Sequence, residues 1–191
     1  MKIIALQCSP RKRGNTAILL SQFVNGAEAE GSEVETITMQ EMNIHPCDMC
    51  DMCDCGSNEF CVYNDSMRDI MAKIDEADAI VFATPVWWTG ASALMKHFLD
   101  RLYVFKTRKY FQDKGAYLIT TNLDNHVSDQ PLPGTDIVGF IVQSVADFTG
   151  MDFIGHLRCM TPGSVLSDTT ILDKAYTEGK RFSKVIREAG K

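Results

Sequence analysis

Basic residues are too few in this chain to hold a polyanion. Its 19 Lys and Arg stand against 25 Asp and Glu, a net charge of -6 over 191 residues. A nucleic-acid binder needs a basic face that neutralises phosphates, so that class is excluded. Long apolar runs are missing too: nothing approaches the ~18 residues of a membrane span. Met1–Leu6 is too soon interrupted by Gln7 and Ser9 to be a secretory apolar segment, which gives the expectation of a cytoplasmic chain with no membrane association. Repeats, low-complexity tracts and linkers are also absent. A 45% hydrophobic chain of this length suits one well-buried domain over 1–191. No Ser-His-Asp set is visible. His45, His97, His126 and His156 are scattered, and each reads as hydrogen-bonded scaffold.

What the chain does have is cysteine, unevenly spread. Five of seven fall in Cys47-Asp48-Met49-Cys50-Asp51-Met52-Cys53-Asp54-Cys55-Gly56-Ser57-Asn58-Glu59-Phe60-Cys61. Buried cysteines that serve as small hydrophobes do not cluster among Asp, Gly, Ser and Asn. In a reducing compartment such a group reads as metal-binding or catalytic rather than as disulfides. Three cysteines at every third position and a fourth a short loop later suit an iron–sulfur cube, which takes one thiolate per iron. A structural zinc with four thiolates, or a loop of free thiols, stays open on spacing alone. The Asp48, Asp51 and Asp54 series reads as a solvated face. Cys8 and Cys159, near strand ends, read as packed thiols.

Around this loop, strands and helices alternate. Lys2–Gln7, Val34–Met39, Ala79–Ala83, Gly115–Thr121 and Met151–Leu157 have strand length and apolar content. Helices are expected from Asn15 or Thr16 to a stop at Gly31, over Met67–Asp75 behind a Ser66/Asp69 capping box, over Ala91–Leu102 and Thr135–Thr149, and from Asp168 or Thr169 to about Glu188. The prediction is α/β: a doubly wound, five-stranded parallel sheet in flavodoxin-like order 2-1-3-4-5, with a cysteine-rich insertion at about 43–64 after strand 2.

Ligands of such sheets sit outside the carboxyl ends of the strands at the switch point. Three loops fall there. Ser9-Pro10-Arg11-Lys12-Arg13-Gly14-Asn15-Thr16 joins a strand to a helix N-terminus, where free N–H groups and the helix dipole attract anions. Gly14 is not followed by Lys-Ser or Lys-Thr, and the Rossmann glycine pattern is absent, so a phosphate monoester fits better than a nucleoside triphosphate. A solvated basic turn is the plainer alternative. Thr84-Pro85-Val86-Trp87-Trp88-Thr89-Gly90 brings both tryptophans beside it, as walls for a planar ring or as interface packing. Thr120-Thr121-Asn122-Leu123-Asp124 offers hydroxyls and amides to a ring edge.

Taken together, Cys8-Ser9-Pro10-Arg11-Lys12-Arg13-Gly14-Asn15-Thr16, the cysteine run, Asp65-Ser66-Met67, Pro85-Val86-Trp87-Trp88 and Gly90–Arg101 resemble the flavodoxin-like NAD(P)H-dependent FMN reductases, and among them the iron–sulfur flavoproteins. The resemblance implies FMN, its phosphate at Ser9, Arg11, Lys12, Arg13, Gly14, Asn15 and Thr16 and its ring near Pro85, Val86, Trp87, Trp88, Gly90, Thr121 and Asn122. It also implies a 4Fe–4S cluster on Cys47, Cys50, Cys53 and Cys61. Cys55 is then surplus, since a Cys53-x-Cys55 pair suits two corners of one cube poorly. Trp87 stands where the family commonly has Tyr, and Thr121-Asn122-Leu123-Asp124 where it usually has Thr-Thr-Gly-Gly. The implied activity is an FMN-dependent oxidoreductase or electron-transfer flavoprotein, with NAD(P)H as co-substrate, a small-molecule or ferredoxin-type redox partner, and a homodimeric or homotetrameric state. The alternatives are a cluster-free FMN or quinone reductase and a non-catalytic FMN carrier or thiol sensor. No protein general acid is evident, and flavin chemistry need not require one.

Overall fold

The computed structural model describes residues 1–53, 61–105, 110–123 and 133–190. Asp54, Cys55, Asp124 and His126, which figure in the readings above, lie outside the described residues. The elements run β1 (Lys2–Gln7), α1 (Asn15–Ala29), β2 (Glu33–Thr38), α2 (Met67–Asp75), β3 (Ala79–Trp87), β4 (Gly90–Ala91), α3 (Ala93–Arg101), β5 (Gly115–Asn122), α4 (Gly134–Thr149), β6 (Asp152–Met160) and α5 (Thr169–Ala189).

The sheet has the order β2-β1-β3-β5-β6, with every neighbouring pair along it parallel. Because side chains alternate along a strand, each central strand feeds two cores. Ile4, Leu6, Ile80, Phe82 and Leu118 meet Ile70 and Ile74 of α2, Phe98 of α3 and Val142 of α4 on one face. Ile3, Ala5, Val81, Tyr117 and Ile119 meet Phe23 of α1 and Phe182 of α5 on the other. The two helices of that second face cross in backbone contact. A Cβ on Gly26 would lie 2.0 Å from the Tyr176 carbonyl oxygen, and one on Gly179 1.9 Å from that of Phe23. Among the described residues, no helix is long and apolar enough to cross a membrane.

Among the described residues the sheet has six strands rather than the expected five. β3 does not stop at Ala83 but continues through Trp87 and turns back into β4, which pairs antiparallel as Trp87↔Gly90 and Val86↔Ala91. Pro85 had argued for a loop. Its strand position is nevertheless free of cost, because β1 ends at Gln7 opposite Ala83. The Ala83 carbonyl accepts from Cys8 N on the β1 side, so Pro85, two residues on, turns its missing N–H toward an edge with no strand beside it. The turn residues Trp88 and Thr89 have φ of 46° and 63°, the left-handed pair of a two-residue hairpin of type I′. At α2 the expected cap is replaced. The Ser66 side chain does not cap the helix, and Asp65 Oδ1 instead accepts from Met67 N at 3.1 Å. At α5 the expected Asp168 cap is present, accepting from Ile171 N at 3.2 Å.

Candidate active site and cysteine cavity

The carboxyl ends of β1, β3, β5 and β6 surround a cavity of about 640 Å³. Its floor is the turn from β1 into α1. Ser9 Oγ accepts from Arg11 N at 3.1 Å, and the Arg11 carbonyl accepts from Gly14 N at 3.1 Å and from Gln7 Nε2 at 3.4 Å. These bonds fix the turn so that α1 opens directly onto the cavity. No side chain caps that helix, which leaves the turn a place for an anion. Arg11 and Arg13 line the same wall as full positive charges. Lys12 does not line it, and its ammonium pairs with Glu41 instead.

Asn15 lines the cavity, but its amide is already committed. Nδ2 donates to the Gly163 carbonyl at 2.8 Å and Oδ1 accepts from Val165 N at 3.2 Å. Thr16 and Thr121 share a buried hydroxyl contact of 2.6 Å that ties α1 to the end of β5. Pro85, Val86 and Trp87 form the opposite wall, whereas Trp88, 98% exposed, and Gly90 do not line it. Asn122 and Leu123 line the rim. Pro162, Gly163 and Ser164 complete it, and sequence reasoning missed them. The signal was there: β6 runs on to Met160 rather than stopping at Leu157, so this Pro-Gly-Ser turn is a fourth carboxyl-end loop.

The helix after β4 joins this site to a second one. Ser92 caps α3 by accepting from Met95 N, and its hydroxyl donates to the Cys8 carbonyl at 2.6 Å, next to the first turn. At its other end α3 reaches a cavity of about 620 Å³ lined by Cys47, Cys50, Cys53 and Cys61 together with Tyr63, Lys96 and Arg101. Both ends of the cysteine loop are bound at its base. Asp65 Oδ2 accepts from His45 N at 2.9 Å and from Arg101 Nη1 at 2.8 Å, and the same Nη1 donates to the His45 carbonyl at 2.7 Å. Asn43 and Ser66 exchange two further bonds of 3.0 Å. The His45 and Tyr63 rings stack at 3.9 Å, and the Tyr63 hydroxyl donates to Asp48 Oδ2 at 2.7 Å. That bond lowers the Asp48 carboxyl and raises the Tyr63 phenol to about 12. Asp48 is thus a tie within the loop as well as a solvated charge.

None of the six described cysteines is joined in a disulfide among the described residues. Burial pushes the Cys8 thiol far up, in keeping with a packed, inert side chain. Among the described residues, no three His, Cys, Asp or Glu side chains converge closely enough to hold a metal ion. The four described loop thiols line one cavity, and thiolate is the donor that iron–sulfur clusters take, one per iron. The first cavity's hydroxyls, guanidinium groups and uncapped helix fit a phosphorylated cofactor, and its Trp87 and Pro85 walls fit a ring.

Known proteins agree with this architecture. An iron-sulfur flavoprotein of Methanocaldococcus jannaschii is 26% identical over 191 residues, 98% of each chain. A protein of Bacillus subtilis named as an NAD(P)H-dependent FMN-containing oxidoreductase is 28% identical over 97% of this chain and 100% of its own. The solved WrbA-like flavodoxin of Agrobacterium tumefaciens superposes with a TM-score of 0.64 at 21% identity, over 98% of both chains, a likeness of fold. Residues 1–131 match the NADPH-dependent FMN reductase family, and the chain belongs to it as an FMN-dependent oxidoreductase.

Proposed function

We propose that the cavity at the strand ends binds FMN, that the cysteine cavity holds a 4Fe–4S cluster on Cys47, Cys50, Cys53 and Cys61, and that electrons pass between the two. The observation that carries this reading is the placement of all four thiols on one cavity at the far end of a helix whose N-terminus is bonded to the flavin-side turn. The names of the relatives support it. When bound, the flavin supplies exchange between two-electron hydride and one-electron chemistry, and the cluster supplies one-electron steps. The chain's own residues bind and orient. In this reading Ser9, Arg11, Arg13 and the α1 N-terminus take the phosphate, Thr16 and Thr121 hold the floor, and Trp87 with Pro85 covers the ring. Asn15 sets the position of Gly163 and so the shape of the rim. A nicotinamide donates the hydride, a small molecule or ferredoxin-type protein accepts electrons, and a second copy of the chain covers exposed Trp88, Phe140 and Phe148.

A second reading, a cluster-free FMN or quinone reductase, is favoured by the thiols' failure to converge. Anaerobic preparation separates the two. The first reading expects about four iron and four sulfide per chain, with flavin bleached by NADH or NADPH and the cluster reduced in turn. Full flavin without iron, after anaerobic reconstitution, establishes the second.

A further inference from the structure

Arg101 ends α3 with its side chain 1% exposed, and it lines the cysteine cavity. Two of its three nitrogens are used. Nη1 donates to the His45 carbonyl and to Asp65 Oδ2, and Nη2 to Asp65 Oδ1 at 3.3 Å. Its guanidinium also sits 5.2 Å from the centre of the Tyr63 ring. The third nitrogen, Nε, is buried without a hydrogen-bond partner. A clamp for the two ends of the loop needs only the fork of Nη1 and Nη2. A buried N–H of a charged group left unpaired is costly, and such a group calls for an acceptor. Of the other charged residues lining the cavity, Lys96 pairs with Asp100, Asp48 takes the Tyr63 hydroxyl, and Asp51 is an exposed carboxylate that can only accept. Among the described residues lining this cavity, Arg101 is therefore the buried donor with capacity to spare.

Resting on the cluster reading, we infer that Arg101 is a positioning residue for the cluster: its fork ties His45 and Asp65 at the base of the loop, and its Nε–H serves the anionic thiolate–sulfide group in the cavity. Four thiolates around a 4Fe–4S core carry net negative charge, which a buried guanidinium favours. Hydrogen bonds at the sulfurs also shape the potential of such a centre. Removing a partner of this kind typically costs about 10–100-fold in metal retention.

The test uses the full chain with FMN, reconstituted anaerobically with iron and sulfide. Wild type is compared with Arg101→Gln, Arg101→Lys and the double variant Asp65→Leu/Arg101→Leu. The readouts are iron and sulfide per chain, the rate of cluster release to a chelator, and the cluster's midpoint potential, with flavin occupancy reporting the fold. Arg101→Gln is expected to release the cluster about 10–100-fold faster and to lower its potential. Arg101→Lys, keeping charge without the fork, is expected to recover part of the retention. Should the single variants lose flavin and fold, the double variant decides, because replacing a buried pair together by apolar residues is often neutral for stability. Cluster release and potential equal to wild type in the folded variants overturn the inference and leave the cluster reading standing. A wild-type chain that takes up flavin but no iron and sulfide overturns the cluster reading, and the inference with it.

Discussion

The two cavities are alike in size, about 640 and 620 Å³, and built in opposite ways. The walls of the first are strand ends. Ser9, Thr84 and Thr121 are buried where a fully packed sheet terminates, and hydrogen bonds between neighbouring strands and helices hold them there. The second is walled by a loop whose Cys47, Cys50 and Met49 are exposed, and among the described residues its buried ion pair is Arg101–Asp65. A sheet edge yields a rigid site as a by-product of the fold, whereas a loop site depends on a few polar contacts that can be removed singly.

The largest expected effect breaks the weaker side. Asp65→Ala leaves Arg101 charged, buried and unpaired, which typically costs about 3–5 kcal/mol, read from the urea midpoint. The same carboxylate makes a pH prediction. Burial works against its ionisation, but the bonds from Arg101, His45 N and Met67 N outweigh that and hold it below its ordinary 3.8. A depressed folded value means that its contribution is complete above 3.8 and is lost as pH falls through the folded value. Acid unfolding below pH 3.8 should therefore weaken wild type more than the alanine variant. Equal acid sensitivity would show that Asp65 is not the anchor.

Next in size, Arg11→Ala tests the stronger side. Loss of one charged hydrogen bond should weaken FMN by about 1.5–3 kcal/mol while leaving riboflavin, which lacks the phosphate, nearly untouched. Asn15→Ala should behave differently. Its amide holds Gly163 and Val165, two neutral bonds of roughly 0.5–1.5 kcal/mol each, so the rim loosens and both ligands weaken together. Fluorescence titration with the two flavins separates the roles. A phosphate-selective loss at Asn15 would mark it as a direct ligand.

The parallel sheet was legible because the runs Ile3–Leu6 and Ala79–Ala83 are apolar on both faces, a pattern that permits little else. The first turn was legible from Ser9 to Thr16 because a strand passing straight into a helix fixes where free N–H groups point. What stayed hidden depended on tertiary neighbours. Pro85 looks like a strand breaker until β1 is seen to end beside it. Asn15 reads from sequence only as an amide offered to the cavity, and its second task, holding the 163–165 segment, comes from the other end of the chain. Arg101 lies near the end of an expected helix, where nothing local marks it for burial, and packing against Asp65, 36 residues earlier, buries it.

The smallest effect sharpens the comparison from the flavin side. The hairpin after Trp87 turns through Trp88 and Thr89, both left-handed, where Asn-Gly is the usual choice. A β-branched residue at φ of 63° is strained, and Thr89 is held there partly by its own hydroxyl donating to the Trp88 carbonyl at 2.5 Å. Such strain costs of order 1–3 kcal/mol, and glycine returns some of the gain through its freer unfolded chain. Thr89→Gly should therefore raise stability by about 1 kcal/mol net, seen as a higher thermal midpoint. Thr89 lies outside the cavity lining, so FMN affinity should change little if the sheet alone positions Trp87. A variant that is more stable yet binds FMN less well would mean that the strained turn presses Trp87 onto the cavity. The flavin side would then also depend on a local device, and the contrast between the two cavities would be one of degree. No gain in stability would mean that the surrounding contacts, including the close approach of Gly134 to Thr89, already absorb the strain.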